Sequence, residues 1–151
     1  MTDTLFRLWT ATVKRDPAAI AVVDAASGRL WSRAELDAAA ADRARLIARI
    51  AGASPVARRR VAMVLPNGAE WFEVFLGLLS LGAVPAPIDP SEPEEAQVGA
   101  AQSIGAPWIW RAGALRPVAP SGHAPGPRRS PGAECLVKHS SGSSGRPKGL
   151  A

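Results

Sequence analysis

Arg60-Val-Ala-Met-Val-Leu65, Pro66-Asn-Gly68, Ala69-Glu-Trp-Phe-Glu-Val-Phe-Leu-Gly-Leu-Leu-Ser-Leu81, Gly82 and Ala83-Val-Pro-Ala-Pro-Ile88 succeed one another through the middle of the chain. The first run is continuously apolar, as in strands buried on both faces of a parallel sheet. Pro66 to Gly68 turn the chain, with Asn67 placed to cap the next helix. Residues 69–81 are apolar nearly all round, which predicts a buried helix, and Gly82 ends it. Ala83 to Ile88 predict a second buried strand. A strand, a helix and a strand joined by such short turns predict a layered α/β fold with a largely parallel sheet.

On the C-terminal side, Glu92 to Ser103 predict a weaker helix and Trp108-Ile-Trp110 a third core strand, with both Trp rings on one face. Asp89, between Ile88 and Pro90, is placed to cap a turn. Toward the N-terminus, Ser32 and Glu35 stand at capping-box spacing. Leu36, Ala40, Ala44, Ile47 and Ala51 then recur at helical spacing. Before them come a helix over Thr4 to Lys14, stopped by Pro17, and a short apolar strand over Ile20 to Asp24. Ala26 to Arg29 turn the chain into Leu30-Trp31.

The 151-residue chain is 47% hydrophobic and 21% charged, too apolar for a disordered segment. Its single cysteine, Cys135, excludes an internal disulfide framework. The longest apolar stretch, Trp71 to Val84, contains Glu73 and is shorter than the ~20 residues a membrane span requires. No signal peptide is recognisable, so a cytoplasmic protein with no membrane span is expected. Net charge is +5, but residues 1–111 hold twelve Lys/Arg against twelve Asp/Glu. The excess lies in residues 112–151: Arg116, Arg128, Arg129, Lys138, Arg146 and Lys148 against Glu134. That distribution disfavours a diffuse nucleic-acid surface but leaves room for a small anion site near the C-terminus. Arg58 to Arg60 read as a solvated strand entry.

Residues 112–133 are rich in Pro, Gly, Ser and Arg and predict a mobile surface loop. After Cys135-Leu-Val137 the chain reads His139-Ser-Ser-Gly-Ser-Ser-Gly-Arg-Pro-Lys-Gly149. Glycines let successive amides turn inward, hydroxyls add donors and a lysine adds a full charge, the chemistry of a polyphosphate cradle. A nucleotide P-loop requires Gly before the Lys and Ser or Thr after it; here Pro147 and Gly149 hold those places. The same composition suits a flexible linker, but Arg-Pro-Lys-Gly has no reason to follow a spacer. Cys135 and His139, four residues apart on a strand, stand roughly 13 Å apart and cannot form a nucleophile–base pair.

Ser140-Ser-Gly-Ser-Ser-Gly-Arg-Pro-Lys-Gly149 resembles the signature phosphate loop of the adenylate-forming (AMP-binding) superfamily, Thr-Ser-Gly-Ser/Thr-Thr-Gly-x-Pro-Lys-Gly, with Ser twice replacing Thr. Trp31-Ser-Arg-Ala-Glu-Leu36, Val61 to Glu70 with Leu65-Pro-Asn-Gly68, and Leu79 to Pro90 resemble further elements of the same family in the same order. His139 stands where the family usually carries an aromatic residue or Thr. The resemblance covers residues 1–111 and 134–151 and implies the incomplete N-terminal part of an AMP-binding domain, acyl-CoA synthetase-like.

The resemblance implies an ATP-dependent ligase that turns a small-molecule carboxylic acid into an acyl-adenylate and passes the acyl group to a thiol, with CoA the expected acceptor. Ser140, Ser141, Ser143 and Ser144 would donate hydroxyls to ATP phosphates. Gly142 and Gly145 would shape the loop, and Lys148 would offset phosphate charge. The family's magnesium ligand, ribose contact and acyl pocket would lie past Ala151, so the chain alone should not turn over. The competing expectation is a non-catalytic α/β fragment acting as a partner-binding module.

Overall fold

The computed structural model describes residues 3–120, 138–140 and 148–150. Helix α1 (Asp3–Arg15) leads to strands β1 (Ile20–Val23) and β2 (Leu30–Ser32), which pair antiparallel as a small separate sheet. Helix α2 (Arg33–Ala51) starts at the expected cap. The Glu35 amide donates to Ser32 Oγ at 3.2 Å, and the Ser32 amide donates to Glu35 Oε2 at 2.8 Å. Its apolar stripe, Leu36, Ala40, Ala44, Ile47 and Ala51, is buried as the spacing requires.

Strand β3 (Arg60–Val64), helix α3 (Ala69–Ser80), strand β4 (Val84–Ile88), helix α4 (Glu94–Ser103) and strand β5 (Trp108–Arg111) follow in the expected alternation. β3 pairs parallel with β4 on one side and with β5 on the other, Ala62 lying opposite both Ala86 and Ile109. Pro85 and Pro87 alternate along β4. A strand without those N–H donors fits the edge it occupies.

Residue alternation sorts the core into two faces. Val61, Met63, Leu65 and Trp110 face α2 and α3, where they meet Ile47, Val74 and Leu78. Ala62, Val64, Ala86, Ile88 and Ile109 form the opposite face with Ala101 and Ile104 of α4 and its end. α2 and α3 pack so closely that a Cβ on Gly77 would lie 2.9 Å from the Ala40 carbonyl oxygen. α1 joins this layer, Trp9 Nε1 donating to Asp37 Oδ1 at 2.7 Å.

Three local expectations are corrected. Asn67 does not cap α3: Gly68 holds the cap position and no side chain bonds there. α3 is not sealed all round, since Phe72 is exposed while Glu73 is buried, its Oε2 accepting from Arg43 Nε at 2.9 Å. Residues 114–117, assigned to the Pro-rich loop by composition, form strand β6 (Ala114–Pro117), antiparallel to β5. The turn between them is Ala112-Gly113, with φ of 49° and 73°. Two positive φ values suit a primed hairpin turn, but alanine in the first position carries no turn signal. The sheet order is thus β4-β3-β5-β6. The rest of the expected loop, 121–133, lies outside the described residues.

Candidate functional site

Two further short strands come from the segment carrying the phosphate-loop pattern. β7 (Lys138–Ser140) and β8 (Lys148–Leu150) pair antiparallel, with Ser140 opposite Lys148 and His139 opposite Gly149. This register brings together the two ends of the pattern. Ser141, Gly142, Ser143, Ser144, Gly145 and Cys135 lie outside the described residues. No sequence pattern announces β8, because Lys-Gly-Leu is too short to show periodicity.

β7 lies beside edge strand β4, so the β7–β8 pair stands next to the strand that leads into Asp89. In open α/β sheets, ligands bind outside the carboxyl ends of the strands. The chain there is built from tight polar turns. Asp89 Oδ1 accepts from the Ser91 amide at 2.8 Å and from the Ser91 hydroxyl at 2.7 Å. Those bonds, the hydroxyl's first, hold the Asp89 carboxyl below the ordinary carboxylate range. Asp89 thus caps a turn, as its place between Ile88 and Pro90 indicates.

Gln97 of α4 fastens the same connection from beneath, its Nε2 donating to the Glu92 carbonyl at 2.7 Å. Arg111, the last residue of β5, donates to Glu94 at the start of α4. That bond, with the charge behind it, lowers the Glu94 pKa. The pair is not legible in the sequence because the two residues meet only through the β4–α4–β5 crossover.

Among the described residues no group of His, Cys, Asp and Glu is placed to hold a metal. None of their helices is long and apolar enough to cross a membrane.

Known proteins give a concordant picture. The chain is 38% identical over 85 residues to a hybrid PKS-NRPS synthetase, mycA, of Thermothelomyces thermophilus; the match takes in 55% of this chain and 2% of that protein. Its fold is similar to the N-terminal subdomain of Klebsiella oxytoca NpsA in complex with 3-hydroxybenzoyl-AMSN, with a TM-score of 0.73 at 20% identity, covering 97% of this chain and 40% of that one. It is equally similar to the inhibitor-bound N-terminal domain of FACL13 from Mycobacterium tuberculosis, with a TM-score of 0.73 at 18% identity, covering 97% and 43%. The chain therefore spans about two-fifths of these structural neighbours. The family described as AMP-binding enzyme matches residues 9–109, which hold the helical layer and the parallel strands beside which the β7–β8 pair lies, and to that family the chain belongs.

Proposed function

We propose that this chain is the incomplete N-terminal part of an adenylate-forming ligase and contributes its triphosphate-binding loop. A carboxylate attacks the α-phosphorus of ATP, the bond to pyrophosphate breaks, and an acyl-adenylate forms. The substrate is its own nucleophile, so the protein supplies positioning and charge neutralisation rather than a reactive side chain. Ser140, Ser141, Ser143 and Ser144 are the proposed hydroxyl donors, Gly142 and Gly145 the proposed loop-shaping residues, and Lys148 the proposed cation.

One observation carries this function: Ser140 stands opposite Lys148 in an antiparallel pair, so the first serine and the lysine of the pattern are held at one place. A loop closed at its base by paired strands supports this reading over that of a spacer between separate units. Magnesium, which ATP use implies, finds no ligand group among the described residues, and no step is assigned to it. The acyl acceptor is a thiol, CoA in the first instance. The similarity to a PKS-NRPS synthetase favours a carrier-tethered thiol as the second reading.

The test is carboxylate-dependent pyrophosphate exchange in the parent enzyme. Lys148→Ala removes a charge-assisted contact worth ~1.5–3 kcal/mol, so adenylation efficiency should fall by roughly one to two orders of magnitude. Ser144→Ala should lose less, and Arg146→Ala least. Residues 1–151 alone should release no pyrophosphate. Wild-type exchange by Lys148→Ala would remove the loop from the reaction. Acyl transfer to free CoA but not to a carrier thiol, or the reverse, decides the acceptor.

A further inference from the structure

The two ends of the parallel sheet carry opposite charge. Glu70 and Glu73 open α3, and Asp89, Glu92, Glu94 and Glu95 surround the start of α4, all toward the carboxyl ends of the strands, where six acids outnumber the two arginines paired with them, Arg43 and Arg111. Residues 43–69, 74–88 and 96–120 contain no Asp or Glu. The amino-terminal end of the sheet instead collects Arg49, in the last turn of α2, and Arg58, Arg59 and Arg60 at the entry to β3.

Backbone hydrogen bonds fix this entry. The Arg58 amide donates to the Gly82 carbonyl at 2.8 Å, just past the end of α3. The Arg59 amide donates to the Val56 carbonyl at 3.0 Å, and the Arg59 carbonyl accepts from the Val84 amide at 2.9 Å. Within that turn Arg58 adopts a φ of 59°, a left-handed conformation that glycine takes at lower cost. An arginine is therefore held rigidly where its backbone is strained, and such outliers mark places to look for function.

Neutralising helix ends accounts for part of the cluster. α3 and α4 have no basic residue in their last turns, and Arg60 Nη1 donates to the Ile104 carbonyl at 2.8 Å, closing α4. Arg49, Arg58 and Arg59 are exposed and, among the described residues, meet no carboxylate. We propose that Arg49, Arg58 and Arg59 form a docking surface for an acidic segment of a partner protein, at the end of the sheet remote from the carboxyl ends of its strands. Guanidinium forks match carboxylates two bonds at a time, and a fixed backbone lowers the ordering cost of binding. Ile50, 40% exposed beside Arg49, adds an apolar contact. Among the described residues no exposed aromatic stands at this end to stack on bases, which favours a protein over a nucleic acid.

Anisotropy of a fluorescein-labelled poly-L-glutamate titrated with the 151-residue chain tests this, with a charge-matched oligodeoxythymidylate in parallel. Arg49→Gln/Arg58→Gly/Arg59→Gln should weaken polyglutamate binding about tenfold and flatten its salt dependence. Arg58→Gly alone relieves backbone strain and keeps the fold, so it carries the same test with a loss of about threefold. The charge-equivalent control, Arg7→Gln/Lys14→Gln/Arg15→Gln on α1, should change binding less than about twofold. An equal loss in that control, loss of binding on Arg128→Gln/Arg129→Gln, or tighter binding of the oligonucleotide than of polyglutamate would each overturn the proposal.

Discussion

The two faces of the sheet solve the same burial problem with different materials. The face toward α2 and α3 is filled by large residues, Met63, Leu65 and Trp110, and is shut by two helices in close approach at Gly77. The face toward α4 mixes four alanines, Ala62, Ala86, Ala101 and Ala106, with five β-branched residues, Val64, Val84, Ile88, Ile104 and Ile109. It holds nothing as large as Met63 or Trp110, and one short helix covers it. Large side chains contribute more burial on the α2–α3 face, and the two helices over it close up where Gly77 meets the α2 backbone at Ala40 and Ala44, a contact with no room for a Cβ. Small side chains let a single helix sit near the strands. The charged groups follow the same division: Glu73 of α3 is buried with Arg43 of α2 as partner, whereas the acids of α4 stay at its exposed start.

The largest difference between the faces is expected at Trp110, fully buried. Trp110→Ala should destabilise by about 3–5 kcal/mol, the range for emptying an aromatic site. Ala101→Gly on the other face should lose only about 1 kcal/mol, mostly helix propensity. Chemical denaturation of both variants checks the contrast, and equal losses would dissolve the distinction.

The ion pair ranks second. Glu73→Gln leaves the Arg43 guanidinium without its closest carboxylate, Glu70 standing farther off at 3.8 Å. A loss of about 1.5–3 kcal/mol is expected, that of a hydrogen bond to a charged group. Restoration on adding Arg43→Met would show that the unpaired charge, not the lost shape, is responsible.

The two helical glycines give a contrast of sign. A Cβ on Gly77 would press on the α2 backbone at 2.9 and 3.2 Å, while one on Gly99 of α4 meets nothing within 4 Å. Gly77→Ala should cost about 1–3 kcal/mol and Gly99→Ala should stabilise by up to about 1 kcal/mol. Thermal midpoints moving in the same direction would contradict the packing described.

The smallest effect is that of acid. Asp24 and Glu35 beside the β1–β2 hairpin, and Asp89 and Glu94 beside α4, all have pKa values lowered by hydrogen bonds, from Ala26, Ser32, Ser91 and Arg111 respectively. A carboxyl with a lowered folded-state pKa stabilises the fold above its unfolded value. That contribution is lost as pH falls through the folded value. The thermal midpoint should therefore be level near neutrality and decline once pH drops below the ordinary carboxylate range. A midpoint that rises on acidification would contradict these bonds.

Much of the fold is legible in the chain, for reasons that differ by residue. Ser32 and Glu35 announce their cap because a capping box is local, its partners three residues apart. Leu36 to Ala51, and the apolar runs of β3 and β4, announce themselves through period. β6 is hidden by the Ala112-Gly113 turn, since the positive φ at Ala112 comes from the pairing of β5 with β6 rather than from alanine's own preference. Asn67 has the chemistry of a cap without the position. At the site, composition singles out Ser140 to Lys148, but only pairing shows Ser140 and Lys148 opposite each other.

Residue order alone dictates the alternation of strand and helix, the buried stripe of α2, the turn at Asp89 and the hydroxyl- and glycine-rich composition of the segment that ends in Lys148. Each depends on residues close together in the chain, where covalent geometry limits the outcomes. Long-range packing decides that β3 lies between β4 and β5, that Arg43 reaches Glu73, that Arg111 meets Glu94, and that Arg49, Arg58 and Arg59 gather at the end of the sheet opposite Glu70, Glu73 and the acids around the start of α4. Those relations join residues many positions apart, and the free energy that selects them belongs to the packed sheet and its two helical layers rather than to any segment.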